Sequence, residues 1–421
     1  MDWPATLELT LDGIAQGGEG VGRWHERVVF ARGGLPGERV QVRLRERRDA
    51  YARGDVIELL EASPERIEPQ LSGADHMPWQ HIAYPAQLRF KRQILADQLA
   101  KIGGLIDLPV AETLAAPRPW GYRNSARFHG VGGRIGYYAA DSHDLQEIES
   151  DPLLLPVLND ALVALRSVVR AGAPVPAEVI LRASEAYGYV LAALRGFDAE
   201  AIDDLAQLAR RWRIRCPALA GVTLPSQPPV ALGVDHLIEE LGGIAFHLRP
   251  ATFFQINSAA AETLLDLVRG GLALRGGERL LDLYCGAGAF ALPLAGTVAE
   301  VVAIEEYAGA IEDGRTTAEE NGIVNVRFEI GRVEQVLRQL DGTFDAAVLD
   351  PPRRGCHPQA IDQLLRLAPT RIVYISCQPA TLARDLKLLV GGGYRVVSVQ
   401  PVDLFPQTAH IESVSVLIRA P

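Results

Sequence analysis

Cys377 is the residue whose neighbours point most directly to chemistry. It lies in IVYISCQPATLARDL, where Ile372 to Ile375 form an apolar run typical of a buried parallel strand. Pro379 suits the first turn of a helix read over Thr381 to Val390. A cysteine at that junction would meet the carboxyl-end rim where open α/β sheets bind ligands, beside helix N–H groups that favour thiolate over thiol. A buried structural thiol is the plain alternative. Asp350 ends the strand FDAAVLD, and Pro351-Pro352 stiffen the loop after it. Its carboxylate can accept or orient hydrogen bonds from an amide or ring N–H, unless the loop is merely a surface turn. In LDLYCGAGAF, Gly286 and Gly288 let backbone approach a ligand closely, and Glu305 ends the next strand 23 residues after Asp282, where a carboxylate can hold ribose hydroxyls. The third glycine of a dinucleotide fingerprint is missing, so an adenosyl cofactor suits this arrangement better. Cys285 reads as a small packing residue. His410 and Glu412 flank Ile411 at the start of the last strand, where alternation would put both on one side. One of them could act as a base near Cys377; a glutamate on an exposed edge is the alternative.

One reaction uses all of these groups. A thiolate is wasted on direct methyl transfer to an oxygen or an exocyclic amine, but it is needed when the acceptor is an unreactive ring carbon. Addition at pyrimidine carbon 6 gives carbon 5 enolate character, so carbon 5 can attack a sulfonium methyl. A base then removes the carbon-5 proton and the thiolate leaves by elimination. The target base must first leave its stack.

The elements that must position these groups fall into three segments. Residues 1–60 read as all-β: TLELTL, VVFA, ERVQVRL and ARGDVIELLE alternate and are separated by glycine-rich turns, as in a small five-stranded oligonucleotide-binding barrel. GGEGVGR (17–23) lacks the ending and the following helix of a phosphate loop. Residues 61–245 hold a proline-bearing connector, an amphipathic helix over Ala86 to Ile102 with Leu88, Ile94, Leu95, Leu99 and Ile102 apolar, and a less regular α+β block. That block contains a hairpin over 179–196 and a helix over 199–212. It is either a substrate-gripping domain or scaffold. Residues 246–421 alternate apolar strands with helices, which implies βαβ units, a mostly parallel sheet and the α/β class. A helix is expected at Ser258 to Leu272, and two closing strands at the sheet edge.

The composition excludes several classes. The four cysteines are widely spaced, which fits neither a disulfide framework nor a metal knuckle and suits a reducing cytoplasm. No signal pattern or membrane-length apolar stretch is evident. A formal charge of −10 argues against a generic nucleic-acid coat, so RNA contact needs a local basic face. Arg23 to Arg53 holds nine arginines against four acids, and Arg118 to Arg134 holds four arginines interleaved with Trp120, Tyr122 and Phe128. Arginines among aromatic rings suit phosphate contact with base stacking. Solvated surface charge is the alternative.

The chain resembles the RNA uridine-5 methyltransferase family, which forms 5-methyluridine in tRNA or large-subunit rRNA. FFQIN, LDLYCGAGAF, the Glu305 strand end, LDPPRRG, ISCQPATLARDL and the terminal HIESV carry the resemblance, and Gly17 to Arg23 matches the GG-x-GV-x-R turn of a TRAM domain. The resemblance implies a class I Rossmann-like domain using S-adenosyl-L-methionine, behind an RNA-binding barrel. It implies that Gln255, Tyr284, Gly286, Glu305 and Asp350 bind the cofactor or frame its pocket, that Cys377 is the nucleophile, and that Glu412, not His410, is the base. Barrel-bearing relatives point to 23S rRNA ahead of tRNA, with no membrane and no obligate protein partner. Many relatives hold an iron–sulfur cluster, yet Ala74 and Met77 stand where two of its cysteines would fall before Gln80-His81, and Asp151-Pro152 stands for the late Cys-Pro. The expectation is therefore no cluster, with the connector held by packing. Ala289 replaces an asparagine common after the glycine turn, which puts a cofactor contact there in question. A cytosine-5 enzyme fits less well, since Ser376-Cys377 is not a Pro-Cys context, and a non-catalytic RNA-binding assembly factor is argued against by intact Cys377, Glu412 and Asp350.

Overall fold

The computed structural model describes residues 2–71, 73–139, 142–196, 202–224 and 230–420, without the side chains of 202 and 205. The chain divides into two compact units, Met1–Ala116 with Ser376–Lys387 and Ser398–Ser413, and Pro117–Ile375 with Leu388–Val397 and Val414–Pro421.

The first unit begins with β1 (Thr6–Ile14), β2 (Gly20–Trp24), β3 (Arg27–Arg32), β4 (Arg39–Arg47) and β5 (Tyr51–Glu61), closed into a barrel in the order β1-β2-β3-β5-β4. The two-residue period makes it: Leu7, Leu9 and Leu11 of β1 point inward to Val29, Ala31, Val40, Val42, Leu44 and Ala52. The glycine segment is only partly a turn. Gly17 and Gly18 take positive φ, at 96° and 86°, but β2 already starts at Gly20. Helix α1 (Tyr84–Lys101) follows, with proline in its first turn. Its buried face holds Gln87 and Lys91 beside Phe90, Ile94, Leu95 and Leu99, whereas Leu88 is only half-buried and Ile102 is exposed.

The second unit opens with a seven-stranded sheet. Its elements are β6 (Ser125–Val131), β7 (Arg134–Tyr138), β8 (Leu145–Glu147), α2 (Pro156–Arg170), β9 (Glu178–Ala183), β10 (Val190–Arg195), α3 (Ile202–Arg215), β11 (Leu219–Leu224) and β12 (Val230–Gly233), with strand order β12-β11-β10-β9-β6-β7-β8. The expected hairpin is β9 paired antiparallel with β10. The expected helix is present as α3, while residues 199–201 of that expectation lie outside the described set. Leu158, Leu162, Leu165 and Val168 of α2 pack with Trp212 of α3 and Phe128 of β6 in one core. This corrects one expectation about RNA contact. Tyr122 and Phe128 are fully buried and cannot stack on a base.

A hairpin of β13 (Leu237–Leu241) and β14 (Ile244–Leu248) leads to α4 (Ser258–Leu272), whose N-terminus is capped by Asn257 accepting from the Ala260 N–H at 3.2 Å. Then come β15 (Arg279–Leu283), α5 (Ala291–Leu294), β16 (Glu300–Glu305), α6 (Ala308–Glu320), β17 (Val326–Ile330), α7 (Val333–Gln339), β18 (Ala346–Leu349), α8 (Pro358–Leu367), β19 (Arg371–Ser376), α9 (Pro379–Gly391), β20 (Tyr394–Val402) and β21 (Glu412–Arg419). The sheet order is β17-β16-β15-β18-β19-β21-β20. Parallel pairing sets Leu283 opposite Ile304 and Leu349, and Leu349 opposite Tyr374, so β15, β16, β18 and β19 end together. The two closing strands lie at the sheet edge as expected, with β21 placed beside β19 and β20 outermost. The helix after the glycine turn is a single turn, Ala291–Leu294, with Gly296 just beyond its end.

Candidate active site

The glycine turn after β15 is held from below by a buried carboxylate. Asp282 Oδ2 accepts the Ala291 N–H at 2.8 Å, fixing the start of α5. Its Oδ1 is buried and has no hydrogen-bond partner among the described residues. Burial pushes the Asp282 carboxyl up to about 8, with the charges of Asp350 and Glu305 adding to the shift. Sequence reasoning used Asp282 only as a spacing marker. A carboxylate inside a buried apolar strand was the available signal. Tyr284 takes a positive φ of 64°, and burial raises its phenol. Gly286, at φ 55°, donates its N–H to Glu305 Oε2 at 3.2 Å, while Glu305 Oε1 accepts the Tyr307 N–H at 2.9 Å. A Cβ built on Gly286 would meet nothing within 4 Å, so the turn is open on that side. Cys285 is buried and its thiol is pushed well up by burial, which agrees with a packing role.

Asp350 follows β18, and burial pushes its carboxyl up to about 7. Gln255 Nε2 lies 3.5 Å from Asp350 Oδ2, so two residues expected to share a site are brought together. The loop carrying Gln255 is fixed by groups that sequence reasoning missed. Asn124 Nδ2 donates to Gln255 O at 2.9 Å and to Ser258 Oγ at 3.0 Å, and buried Arg182 donates to the Thr252 carbonyl. No local motif marks either residue, because Arg182 acts on Thr252 70 positions away and Asn124 on Gln255 131 positions away.

In the other unit, Cys377 is half-buried, between β19 and α9. The turn around it is held by Ser376 and Gln378: the Gln378 N–H donates to Ser376 Oγ at 3.1 Å, and Thr381 Oγ1 donates to the Gln378 carbonyl at 3.1 Å. Gln16 of the barrel donates to the Gln378 side chain. Ser413 Oγ donates to the Ser376 carbonyl at 3.5 Å, so the residues on either side, Cys377 and Glu412, lie on adjoining segments. Glu412 is 5% exposed, which removes the exposed-edge alternative. His410 is a correction. It precedes β21 in an irregular segment and is exposed, so strand alternation does not pair it with Glu412.

The basic regions are less open than their composition suggests. In the barrel Arg32 pairs with Asp55 at 2.7 Å, Arg39 with Glu8 at 3.1 Å, Arg48 with Glu46 at 2.9 Å, and Arg53 with Glu19. Trp3 stacks on Trp24 at 5.4 Å with Arg27 over the Trp3 ring.

A model of the tRNA (uracil-5-)-methyltransferase family matches residues 237–420, and a TRAM domain model matches residues 5–57. An RNA methyltransferase of Thermosynechococcus vestitus is 38% identical over 98% of this chain and 98% of its own length. The chain belongs to the RNA (uracil-5-)-methyltransferase family. An RNA methyltransferase of Synechocystis is similar to this enzyme at 38% identity, over 98% of this chain and 96% of its own. The solved tRNA (uracil-54, C5)-methyltransferase of Pyrococcus abyssi, in complex with S-adenosyl-L-homocysteine, shares the methyltransferase's fold with a TM-score of 0.75. That match is at 24% identity and covers 98% of this chain and 100% of the other. An open glycine turn, an unpartnered buried Asp282 oxygen and the Glu305 and Asp350 carboxylates fit a cationic donor rich in hydroxyl and amino groups.

The connector does not fit a cysteine-held iron–sulfur cluster. The methyltransferase's cysteines are Cys216, Cys285, Cys356 and Cys377, and none lies near Gln80-His81 in sequence. Instead Met77 and Trp79 are buried, the Met77 N–H donates to Ala74 O at 3.0 Å, and the Gln80 amide spans Leu71, with its Nε2 donating to Leu71 O at 2.6 Å and its Oε1 accepting the Leu71 N–H at 2.9 Å. At the late position, Asp151 accepts from the Leu153 N–H at 2.8 Å and from Tyr137 OH at 2.9 Å. Purified enzyme is expected to contain no stoichiometric iron and no brown absorption; one cluster's worth of iron per chain would contradict this.

Asp282 gives a pH prediction. Its folded value, about 8, lies above the ordinary 3.8, so the folded state keeps a proton that the unfolded state releases. That contribution to stability is present at low pH and is lost as pH rises from about 4 to about 8. Asp282→Asn keeps an acceptor for Ala291 and removes the titration. The Tm of the variant minus that of the parent should therefore increase between pH 5 and pH 8, and a constant difference would contradict the assignment.

Among the described residues no helix is long and apolar enough to cross a membrane.

Proposed function

We propose that this enzyme methylates carbon 5 of a specific uridine in structured RNA, with 23S rRNA as substrate, through a covalent bond between Cys377 and carbon 6. The observation that carries this reading is the Ser413–Ser376 hydrogen bond, which sets the Cys377 and Glu412 segments side by side, with one half-buried and one buried. Cys377 attacks carbon 6 and carbon 5 gains enolate character. S-adenosyl-L-methionine supplies an electrophilic sulfonium methyl. Gln255, Tyr284, Gly286, Glu305 and Asp350 hold and frame the donor. The buried Glu412 carboxylate takes the carbon-5 proton, the carbon 5–carbon 6 double bond re-forms and the Cys377 thiolate leaves. Asp350 orients its amide or ring N–H partner and so completes the catalytic set with Cys377 and Glu412.

In this reading residues 1–60 bind RNA, residues 61–245 connect and grip substrate, and residues 246–421 transfer the methyl group. The enzyme acts in the cytoplasm, without an obligate protein partner. The barrel is what favours rRNA over tRNA, by similarity to barrel-bearing members of the family. Incubating unmodified RNAs with methyl-labelled donor, followed by nucleoside analysis, tests this. The reading expects labelled 5-methyluridine in 23S rRNA. Label in tRNA would move the substrate to tRNA, 5-methylcytidine would overturn the base, and no label in either RNA would favour an assembly factor.

A further inference from the structure

Two polar residues on the buried face of α1 have no part in the reaction described above, yet both are spent on a single loop. Gln87 and Lys91 stand one helical turn apart and are 0% exposed. Lys91 Nζ donates to Asp403 Oδ1 at 2.5 Å and to the Phe405 carbonyl at 3.0 Å. Gln87 uses both ends of its amide on Gln407: Oε1 accepts the Gln407 N–H at 2.9 Å, and Nε2 donates to Gln407 Oε1 at 2.8 Å. The same Nε2 reaches the Ile82 carbonyl at 2.9 Å and the Trp79 carbonyl at 3.2 Å. The Trp79 N–H in turn donates to the Gln407 carbonyl at 3.0 Å. Gln407 takes a φ of 66°, a left-handed conformation that costs a residue with a Cβ free energy unless its surroundings impose it. The Asp403 N–H also donates to the Leu114 carbonyl at 2.8 Å.

Five positions after Gln407 the chain reaches Glu412. Burying an ammonium, a carboxylate and an amide is costly unless each is paired, so this arrangement is an expensive way to hold a loop that apolar side chains could cover. What it adds is direction: hydrogen bonds specify the path of the backbone, while apolar contacts specify only that it is covered.

We propose that Gln87 and Lys91 are positioning residues for Glu412, fixing the path of residues 403–411 so that the glutamate carboxylate meets the carbon-5 proton. The inference rests on the assignment of Glu412 as the base. Displacing a catalytic group by about 1 Å can cost about 10²-fold in rate. A misplaced base slows release of the covalent intermediate more than its formation. The protein–RNA adduct should therefore accumulate, which a general loss of stability would not produce.

The test uses the full-length enzyme in two variants. Gln87→Leu removes one clamp. Lys91→Met combined with Asp403→Leu removes the other without leaving a buried charge unpaired. Retained S-adenosyl-L-homocysteine affinity and a cooperative thermal transition establish that the variants fold. Turnover on substrate RNA should fall by about 10- to 100-fold, with KM for RNA within about threefold, and denaturing gels should show adduct during turnover. Glu412→Gln is run in parallel. If Glu412→Gln traps adduct but the clamp variants lose rate without trapping it, or keep full rate, the positioning role is overturned and the base assignment stands. If Glu412→Gln itself traps none, the base assignment fails and the positioning inference falls with it.

Discussion

Cys377→Ala protein should bind S-adenosyl-L-methionine as tightly as the parent and methylate RNA at least about 10³-fold more slowly. The separation follows from where the groups are held. The residues we propose to hold the donor are fixed by bonds that do not involve the cysteine: Glu305 by the Gly286 and Tyr307 N–H groups, Gln255 by Asn124 and Asp350. Removing a sulfur from the turn after β19 leaves those bonds in place. Carbon 5 of an unactivated uracil, by contrast, is too poor a nucleophile to take a methyl group without addition at carbon 6. Cys377→Ser should be nearly as inactive, because a hydroxyl is far less acidic and less nucleophilic than a thiol. Isothermal titration with the donor, paired with methyl incorporation, checks both halves. Substantial methylation by Cys377→Ala would refute the role, and loss of donor binding would make the residue structural.

Glu412→Gln should slow turnover by about 10²- to 10⁴-fold and leave a covalent protein–RNA complex that survives denaturation. Glutamine keeps the shape and much of the hydrogen bonding of a buried side chain, so the fold is preserved while the proton acceptor is lost. The adduct has then formed and received its methyl group but cannot eliminate. His410→Ala should trap nothing, since His410 is exposed and outside β21. A Glu412→Gln enzyme that turns over slowly without any trapped species would place the base elsewhere.

Much of this was legible in the sequence because it is written locally. A run such as Ile372 to Ile375 can only be a buried strand or a piece of buried helix, and the following Ser-Cys-Gln-Pro decides between them. The glycine turn, Glu305 at the end of β16 and Asp350 just after β18 are likewise set by a few neighbouring residues. Long-range pairings carried no such mark. Apolar periodicity assigned α1 a face through Leu88 and Ile102, but the helix buries Gln87 and Lys91 because their partners lie more than three hundred residues away. Tyr122 and Phe128 read as stacking rings among arginines and proved to be core, since α2 and α3 cover the sheet that carries Phe128. The insertion of β21 between β19 and β20 could not be inferred from strand pattern, yet it brings the Glu412 segment against the turn that carries Cys377.

The most direct measurement replaces the target uridine with 5-fluorouridine. Fluorine at carbon 5 cannot leave as a proton does, so an adduct that has accepted the methyl group is unable to eliminate. Enzyme, donor and fluorinated RNA should give a stable one-to-one complex, and digestion with mass spectrometry should find the methylated fluoronucleotide on the peptide bearing Cys377. Donor consumption with no complex, or a nucleotide attached to any other residue, would contradict the account.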